Sequence, residues 1–211
     1  RIELWWSCCI NSDSLKQALI IFARNPIRGK VKTRLAATMG DDKALSIYQS
    51  LLKHTVQITQ QLPCDRYVFY ADGISMNDIW QDDLYLKKSQ EGNDLGQRML
   101  HAFNSLFQQG YKKIIIIGTD CFELSSSILL DGFTALDIHE VVIGPSVDGG
   151  YYLLGMRQFY PTLFEEKAWS TDTVYSSTVQ QLEMQKINYT ILPILNDIDT
   201  EDDWKQYLHQ Q

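Results

Sequence analysis

The sequence predicts an α/β fold: a single doubly wound, mainly parallel sheet with helices on both faces. Three observations predict it. Ile114, Ile115, Ile116 and Ile117 run together with no polar face, the pattern of a short strand buried on both sides in a parallel sheet. Further apolar runs alternate with stretches of helical spacing along the chain, as in βαβ architectures. The isoleucine run stops at Gly118, and Asp120 follows two residues later. Asp120 is therefore expected just past the carboxyl end of a central strand, where open α/β sheets bind ligands. The competing expectation is that Asp120 only caps a helix starting near Ser125.

A chain of 211 residues suits one α/β domain and buries a core without disulfides or metals. The expected organisation is an N-terminal extension over residues 1–17, of unclear role, followed by one domain over 18–211. The extension, with Trp5, Trp6, Cys8 and Cys9, is too short and poorly flanked for a signal peptide. An appended strand, or a segment packing on a neighbour, is the expectation for it. A net charge of −7 argues against a broad nucleic-acid-binding face but permits a local basic pocket for one nucleotide. Cys8, Cys9, Cys64 and Cys121 form no CxxC or Cys/His set, which points to reduced thiols in a cytoplasm rather than zinc or disulfides. No apolar run reaches membrane-spanning length.

Residues 18–23 (ALIIFA) read as the first strand of the sheet. The following stretch holds Arg24, Arg28, Lys30, Lys32 and Arg34, with Pro26 and Gly29 between them. Pro and Gly make it a loop, and Lys32-Thr33-Arg34 opens onto a helix. A basic loop between a strand and a helix N-terminus suits phosphate binding; a solvated surface loop is the alternative. Ala44, Leu45, Tyr48, Leu51, Leu52, Thr55 and Val56 recur at helical spacing, so a long amphipathic helix is expected from near Asp41. Residues 66–70 (RYVFY) read as a strand ending in the turn Ala71-Asp72-Gly73. Residues 85–89 read as a weaker strand nearer an edge.

The stretch 90–99 leads into a helix with an expected apolar face of Leu95, Met99, Phe103 and Leu106. Asp94 is suited to cap it. Gly92 and Gly96 suggest close approach of a ligand or a neighbouring element, and Arg98 faces either phosphate or solvent. A helix is expected over 125–136, then a buried strand over 140–145. Asp148-Gly149-Gly150 between two apolar runs is either a hairpin turn or, with Asp120, half of a polar or metal site suited to Mg²⁺ or Mn²⁺ carrying substrate phosphates. Ser170, Thr171 or Asp172 is expected to cap a helix running through Val174, Thr178 and Leu182. Residues 189–193 read as a strand, with Pro193 placing its end near an edge. Thr200 and Asp203 fit a capping box, while Asp197 and Asp199 precede the helix and are freer for other roles.

Taken in order, the motifs are Phe22-Ala23-Arg24-x-Pro26-x-x-Gly29-x-Val31-Lys32-Thr33-Arg34-Leu35, Gly92-x-Asp94-Leu95-Gly96-x-Arg98-Met99, Gly118-Thr119-Asp120-Cys121, Gly144-Pro145-x-x-Asp148-Gly149-Gly150-Tyr151-Tyr152-Leu153-Leu154-Gly155, Trp169-Ser170-Thr171 and Asp197-x-Asp199-Thr200. The chain resembles a bacterial family of proposed glycosyltransferases, long filed as a domain of unknown function, some of whose members are associated with radical-SAM proteins or arsenosugar biosynthesis. That family is similar to the nucleotide-diphospho-sugar transferase (GT-A) fold and, more distantly, to the molybdenum-cofactor and phospholactate nucleotidyltransferases. The resemblance implies that Arg24, Lys32, Thr33, Arg34, Gly92, Asp94 and Arg98 bind the nucleotide and its phosphates. It implies that Asp120 and Asp199 hold Mg²⁺ or Mn²⁺, and that Asp120 and Asp148 act in catalysis. Gly149, Gly150, Tyr151, Trp169, Ser170 and Thr171 would line the sugar or acceptor side. Two departures stand out: Gly118 replaces the first acid of a D-x-D, and Phe122 follows Cys121 where the family commonly has Pro.

The function implied is a metal-dependent transferase moving a glycosyl group from a nucleotide-diphospho-sugar to a small-molecule acceptor. The basic loop and the metal would neutralise the departing diphosphate. Nucleotidyl transfer from a nucleoside triphosphate to a phosphorylated small molecule needs nearly the same residues. A loop with only Gly29 in it favours glycosyl transfer. A catalytically silent nucleotide-binding protein is the third reading, against which the three aspartates and the basic loop argue.

Overall fold

The computed structural model describes residues 16–165 and 167–209; the expected N-terminal segment up to residue 15 lies outside them. Seven strands form one sheet: β1 (Gln17–Ala23), β2 (Asp65–Tyr70), β3 (Leu86–Ser89), β4 (Lys113–Ile117), β5 (Val141–Pro145), β6 (Tyr151–Met156) and β7 (Tyr189–Ile191). Their order is β3-β2-β1-β4-β6-β5-β7. All neighbours pair in parallel except at β6, which runs antiparallel to both β4 and β5. Six α-helices accompany the sheet: α1 (Thr33–Met39), α2 (Asp41–Thr59), α3 (Leu95–Gln108), α4 (Ser126–Ala135), α5 (Val174–Gln185) and α6 (Glu201–His209). The expected fold class is the observed one.

Period-two alternation splits the apolar runs between two faces. Leu19, Ile21, Ile115 and Ile117 share one core with Tyr48 and Leu52 of α2 and Leu129 and Phe133 of α4. Ala18, Ile20, Ile114 and Ile116 share the other with Met99, Phe103 and Leu106 of α3 and Leu182 of α5. Each of the four isoleucines is at most 4% exposed, and burying such a side chain stabilises the fold by about 1.5–3 kcal/mol. A third cluster joins Leu35, Ala44, Ile47 and Leu51 to Ile198. It fastens the C-terminal segment beside the ends of β1 and β4, where the strand order reverses and a ligand crevice opens.

Some expectations shift. Leu95 was expected on the buried face of α3 but is 41% exposed, because the first turn of that helix stands at the crevice. The residue before α5 is Thr173, with no side-chain cap bond, rather than Ser170, Thr171 or Asp172. The chain enters that helix through a turn in which Ser170 takes φ +64° and Val174 N–H reaches Thr171 O. The strand expected from Tyr85 begins at Leu86, and Tyr85 instead turns inward against Trp80. Asp94 and Ser125 cap α3 and α4 as expected, so Asp120 caps neither.

Candidate active site

The site grows from the end of β1. Tyr48 of α2 is 4% exposed, and its hydroxyl binds both backbone groups of Arg24: Arg24 N–H donates to it at 3.0 Å and it donates to Arg24 O at 3.1 Å. Thr119 Oγ1 reaches the same hydroxyl at 3.4 Å. One buried phenol thus ties the start of the basic loop to the end of β4. Further along, Arg28 binds Asp42 at 2.6 Å and lies 3.7 Å from Asp41, so it holds the loop against α2 and is not a spare phosphate ligand. The chain then turns at Lys32, which adopts φ 48° and ψ 48°. A side chain pays strain for that left-handed backbone, and here it directs the lysine under α1.

The Lys32 ammonium lies 2.7 Å from Asp120 Oδ1 and 2.8 Å from Asp199 Oδ1. Its side chain is only 6% exposed, against 44% for Asp120 and 37% for Asp199. Burial alone would lower its pKa, but the two carboxylates more than offset this and raise it; the lysine is a fixed cation. Asp199 is brought there by Ile198, whose N–H donates to Asp120 O at 2.8 Å while its side chain is buried. Arg34 approaches Asp199 from outside, at 3.6 Å. On the other side of Ile198, Asp197 accepts from Ser146 Oγ at 2.8 Å. Burial, then the neighbouring Asp120 charge, push its carboxyl up to about 7.

These groups floor a cavity of about 660 Å³, within the roughly 300–1,000 Å³ typical of ligand sites. Arg24, Lys30, Thr33 and Arg34 wall one side; Gln90, Asn93, Asp94, Leu95 and Arg98 wall another. Arg24, Lys30 and Arg98 face no carboxylate within ion-pair distance among the described residues. Tyr151, Tyr152 and Ser170 close the far end.

The remaining expected residues divide. Asp94 both lines the cavity and accepts from Gln97 N–H at 2.8 Å. Gly92 is a corner residue at φ +131°, and Arg98 Nε donates to its carbonyl at 3.1 Å. Asp148 does not line the cavity; its carboxylate accepts from Gly150 N–H at 2.9 Å and closes the β5–β6 hairpin. The close approach expected at Gly96 is to a neighbouring element: a Cβ there would sit 2.1 Å from Trp169 Nε1. Gly149 is held likewise, a Cβ there meeting Asp172 O at 2.1 Å. Trp169 and Thr171 therefore shape the segment 167–173 that spans from α3 to the hairpin, with Thr171 Oγ1 donating to Ala168 O, while Ser170 alone of the three reaches the cavity. Tyr48, Thr119, Asn93 and Asp197 were missing from the expected set. Asp197 shares the D-x-D-T segment with Asp199, and Thr119 the Gly118–Cys121 motif with Asp120, which were the available signals; Tyr48 read as part of the apolar face of its helix.

Among the described residues no three His, Cys, Asp or Glu side chains form a ready-made metal cage. Asp120 and Asp199 nonetheless converge on one cation, the Lys32 ammonium, and remain partly open to the cavity. A carboxylate pair of that kind fits Mg²⁺ or Mn²⁺ that keeps several ligands from water and substrate phosphate.

The doubly wound sheet with one reversed strand and a crevice over β1 and β4 is a fold shared with solved structures. Residues 54–171 match the profile of DUF2064, described as an uncharacterized protein conserved in bacteria. The chain belongs to this family. It is similar to a proposed nucleotide-diphospho-sugar transferase from Desulfovibrio desulfuricans G20, with 30% identity, 92% of this chain and 87% of that one covered, and a TM-score of 0.85. It shares its fold with 4-diphosphocytidyl-2C-methyl-D-erythritol synthase from Anaerococcus prevotii DSM 20548, at 10% identity, 94% and 98% coverage and a TM-score of 0.55. The same holds for Rv0371c from Mycobacterium tuberculosis H37Rv, solved in complex with manganese, at 13% identity, 93% and 100% coverage and a TM-score of 0.53. No curated protein matches the chain.

Proposed function

We propose that this protein is a transferase that uses a nucleotide-activated donor, transferring a glycosyl group from a nucleotide-diphospho-sugar to a small-molecule acceptor. The observation that carries the reading is the charge layout of the cavity. Two carboxylates, Asp120 and Asp199, sit on its floor, and Arg24, Lys30, Arg34 and Arg98 stand around its wall, in a chain whose net charge is −7. Cations concentrated over an acidic floor suit a metal-borne diphosphate and few other small molecules. The relative from Desulfovibrio desulfuricans, itself described as a proposed nucleotide-diphospho-sugar transferase, is consistent with the sugar-nucleotide form of the donor.

In this reading a divalent ion, when bound at Asp120 and Asp199, supplies charge neutralisation for the departing diphosphate. Arg24, Lys30 and Arg34 hold the phosphates from the loop side. Thr33 offers its hydroxyl at the start of α1. Gln90, Asn93 and Asp94 face the nucleoside end, and Arg98, braced on Gly92, completes that wall. Tyr151 and Ser170 define the sugar side. Asp197, on the cavity floor and bonded to Ser146, joins Asp148 as a candidate proton acceptor for an acceptor hydroxyl.

Nucleotidyl transfer uses the same floor, and the cytidylyl-type synthase with this fold keeps it as the second reading. The experiment is thermal stability against UDP-, GDP-, ADP- and CMP-sugars and nucleoside triphosphates, each with and without Mg²⁺ or Mn²⁺. A donor at about 100 times its dissociation constant stabilises by about 2.7 kcal/mol, a rise of roughly 5–10 °C for a chain this long. A metal-dependent rise with one nucleotide-sugar supports glycosyl transfer. A rise only with a triphosphate replaces it with nucleotidyl transfer, and no rise with any of them removes both.

A further inference from the structure

Lys32 was expected among the phosphate ligands and does line the cavity, yet its ammonium is shared by two acidic residues. It is 6% exposed, while Asp120 and Asp199 are 44% and 37% exposed. An ammonium already paired with two carboxylates is more than a simple phosphate clamp. Each aspartate gives Oδ1 to the lysine and keeps Oδ2, which among the described residues pairs with Arg34, at 3.6 Å, on Asp199. The lysine holds this position through a left-handed backbone and a buried side chain, so it is built in rather than drawn in from solvent.

We infer that Lys32 is a positioning residue that makes the Asp120–Asp199 pair a site for a metal–diphosphate complex and not for a free divalent ion. The inference rests on the proposed function only in taking the diphosphate as the physiological companion of the metal. Two unpaired carboxylates present −2 to an incoming ion, and with the shared ammonium between them the group presents −1. An added positive charge a few ångströms from a divalent ion opposes its binding strongly in a partly desolvated site. A diphosphate restores the missing negative charge and brings further oxygen ligands, which Mg²⁺ and Mn²⁺ take readily from substrate phosphates. Lys32 also fixes the spacing of the two carboxylates, so the pair is preorganised before the ion arrives.

The test is Mn²⁺ binding by equilibrium dialysis, with inorganic pyrophosphate as the diphosphate probe and protein-free pyrophosphate as the blank, since pyrophosphate itself chelates Mn²⁺. Wild-type protein is expected to bind bare Mn²⁺ weakly and to retain Mn²⁺ and pyrophosphate together. Lys32→Met is expected to bind one bare Mn²⁺ per chain at least roughly tenfold more tightly than wild type, and Asp199→Asn in that background to abolish the gain. Lys32→Arg, which restores the charge, is expected to return affinity toward the wild-type value. A purely structural lysine predicts the opposite sign, because a disordered carboxylate pair binds metal more weakly. Equal or weaker Mn²⁺ binding by Lys32→Met overturns the inference. If that variant does not fold, wild type decides alone: bare Mn²⁺ bound as tightly without pyrophosphate as with it overturns the inference, and dependence on pyrophosphate supports it. No nucleotide is involved, so the outcome is separate from that of the donor panel.

Discussion

Lys32 Nζ and Asp199 Oδ1 meet at 2.8 Å although 167 residues separate them in the chain. That contact joins the loop after the first strand to the segment before the last helix, and it crosses beneath Asp120. The pair is half-exposed on the carboxylate side, so its net contribution to stability is discounted from that of a buried bridge. Its weight lies in placing charge at the floor of the cavity.

Asp199→Asn is therefore expected to separate catalysis from folding. The fold keeps the Lys32–Asp120 contact at 2.7 Å, so the melting temperature changes little, by about 1 kcal/mol equivalent or less. Transfer should fall by roughly 10²-fold or more, the usual cost of removing one charge-stabilising group. Steady-state rates and melting curves on the same preparation check both parts.

Tyr48→Phe removes a hydroxyl bonded to Arg24 N–H, Arg24 O and Thr119. The loss leaves part-buried backbone groups without this partner at a cost of about 1 kcal/mol. Because those groups anchor the basic loop, KM for the donor should rise more than kcat falls. An unchanged KM would detach the loop from donor binding.

Gly96→Ala puts a methyl group where Trp169 Nε1 stands 2.1 Å away. Overpacking of that kind costs about 1–3 kcal/mol. Trp169→Ala in the same chain should recover most of the loss, and a double-mutant cycle measures the coupling. Independent, additive effects would contradict the contact.

Glu140 provides a pH-dependent element away from the cavity. Its carboxylate accepts from the Tyr160 hydroxyl at 2.5 Å and from Asn188 N–H at 3.0 Å, and those bonds lower its pKa below the ordinary 4.5. A carboxylate with a depressed pKa in the folded state stabilises it above the unfolded value, and that stability is lost as pH falls through the folded one. Glu140→Ala should therefore be less stable than wild type at pH 7, and the difference should shrink below pH 4.5. Denaturant midpoints from pH 7 down to pH 3 give the comparison.

The sheet was legible because its signals are local. The run from Ile114 to Ile117 has one physical solution, and Asp94, Ser125 and the Thr200–Asp203 capping box announce three helix starts within a few residues. Thr200 N–H does donate to Asp203, at 2.7 Å. The site was legible at the level of motifs and not of contacts. Nothing local says that Lys32 turns under its helix to Asp199, because that depends on a left-handed backbone and a partner at the other end of the chain. Nor does anything mark Phe122 as the residue on which Tyr207 stacks, with ring centroids 4.5 Å apart. Gly96 signalled close approach, but the partner, Trp169 in the segment from 167 to 173, was beyond the reach of spacing arguments.

The central claim is that the cavity takes a nucleotide-activated donor on a metal held by Asp120 and Asp199. Calorimetric titration of the donor found in the panel into wild type and Asp120→Ala, in Mn²⁺ and in a chelator, tests it most directly. The account predicts binding in Mn²⁺ to wild type alone, with at least roughly a tenfold loss, about 1.4 kcal/mol, in the chelator and in the variant. Equal affinity in all of these conditions would contradict it.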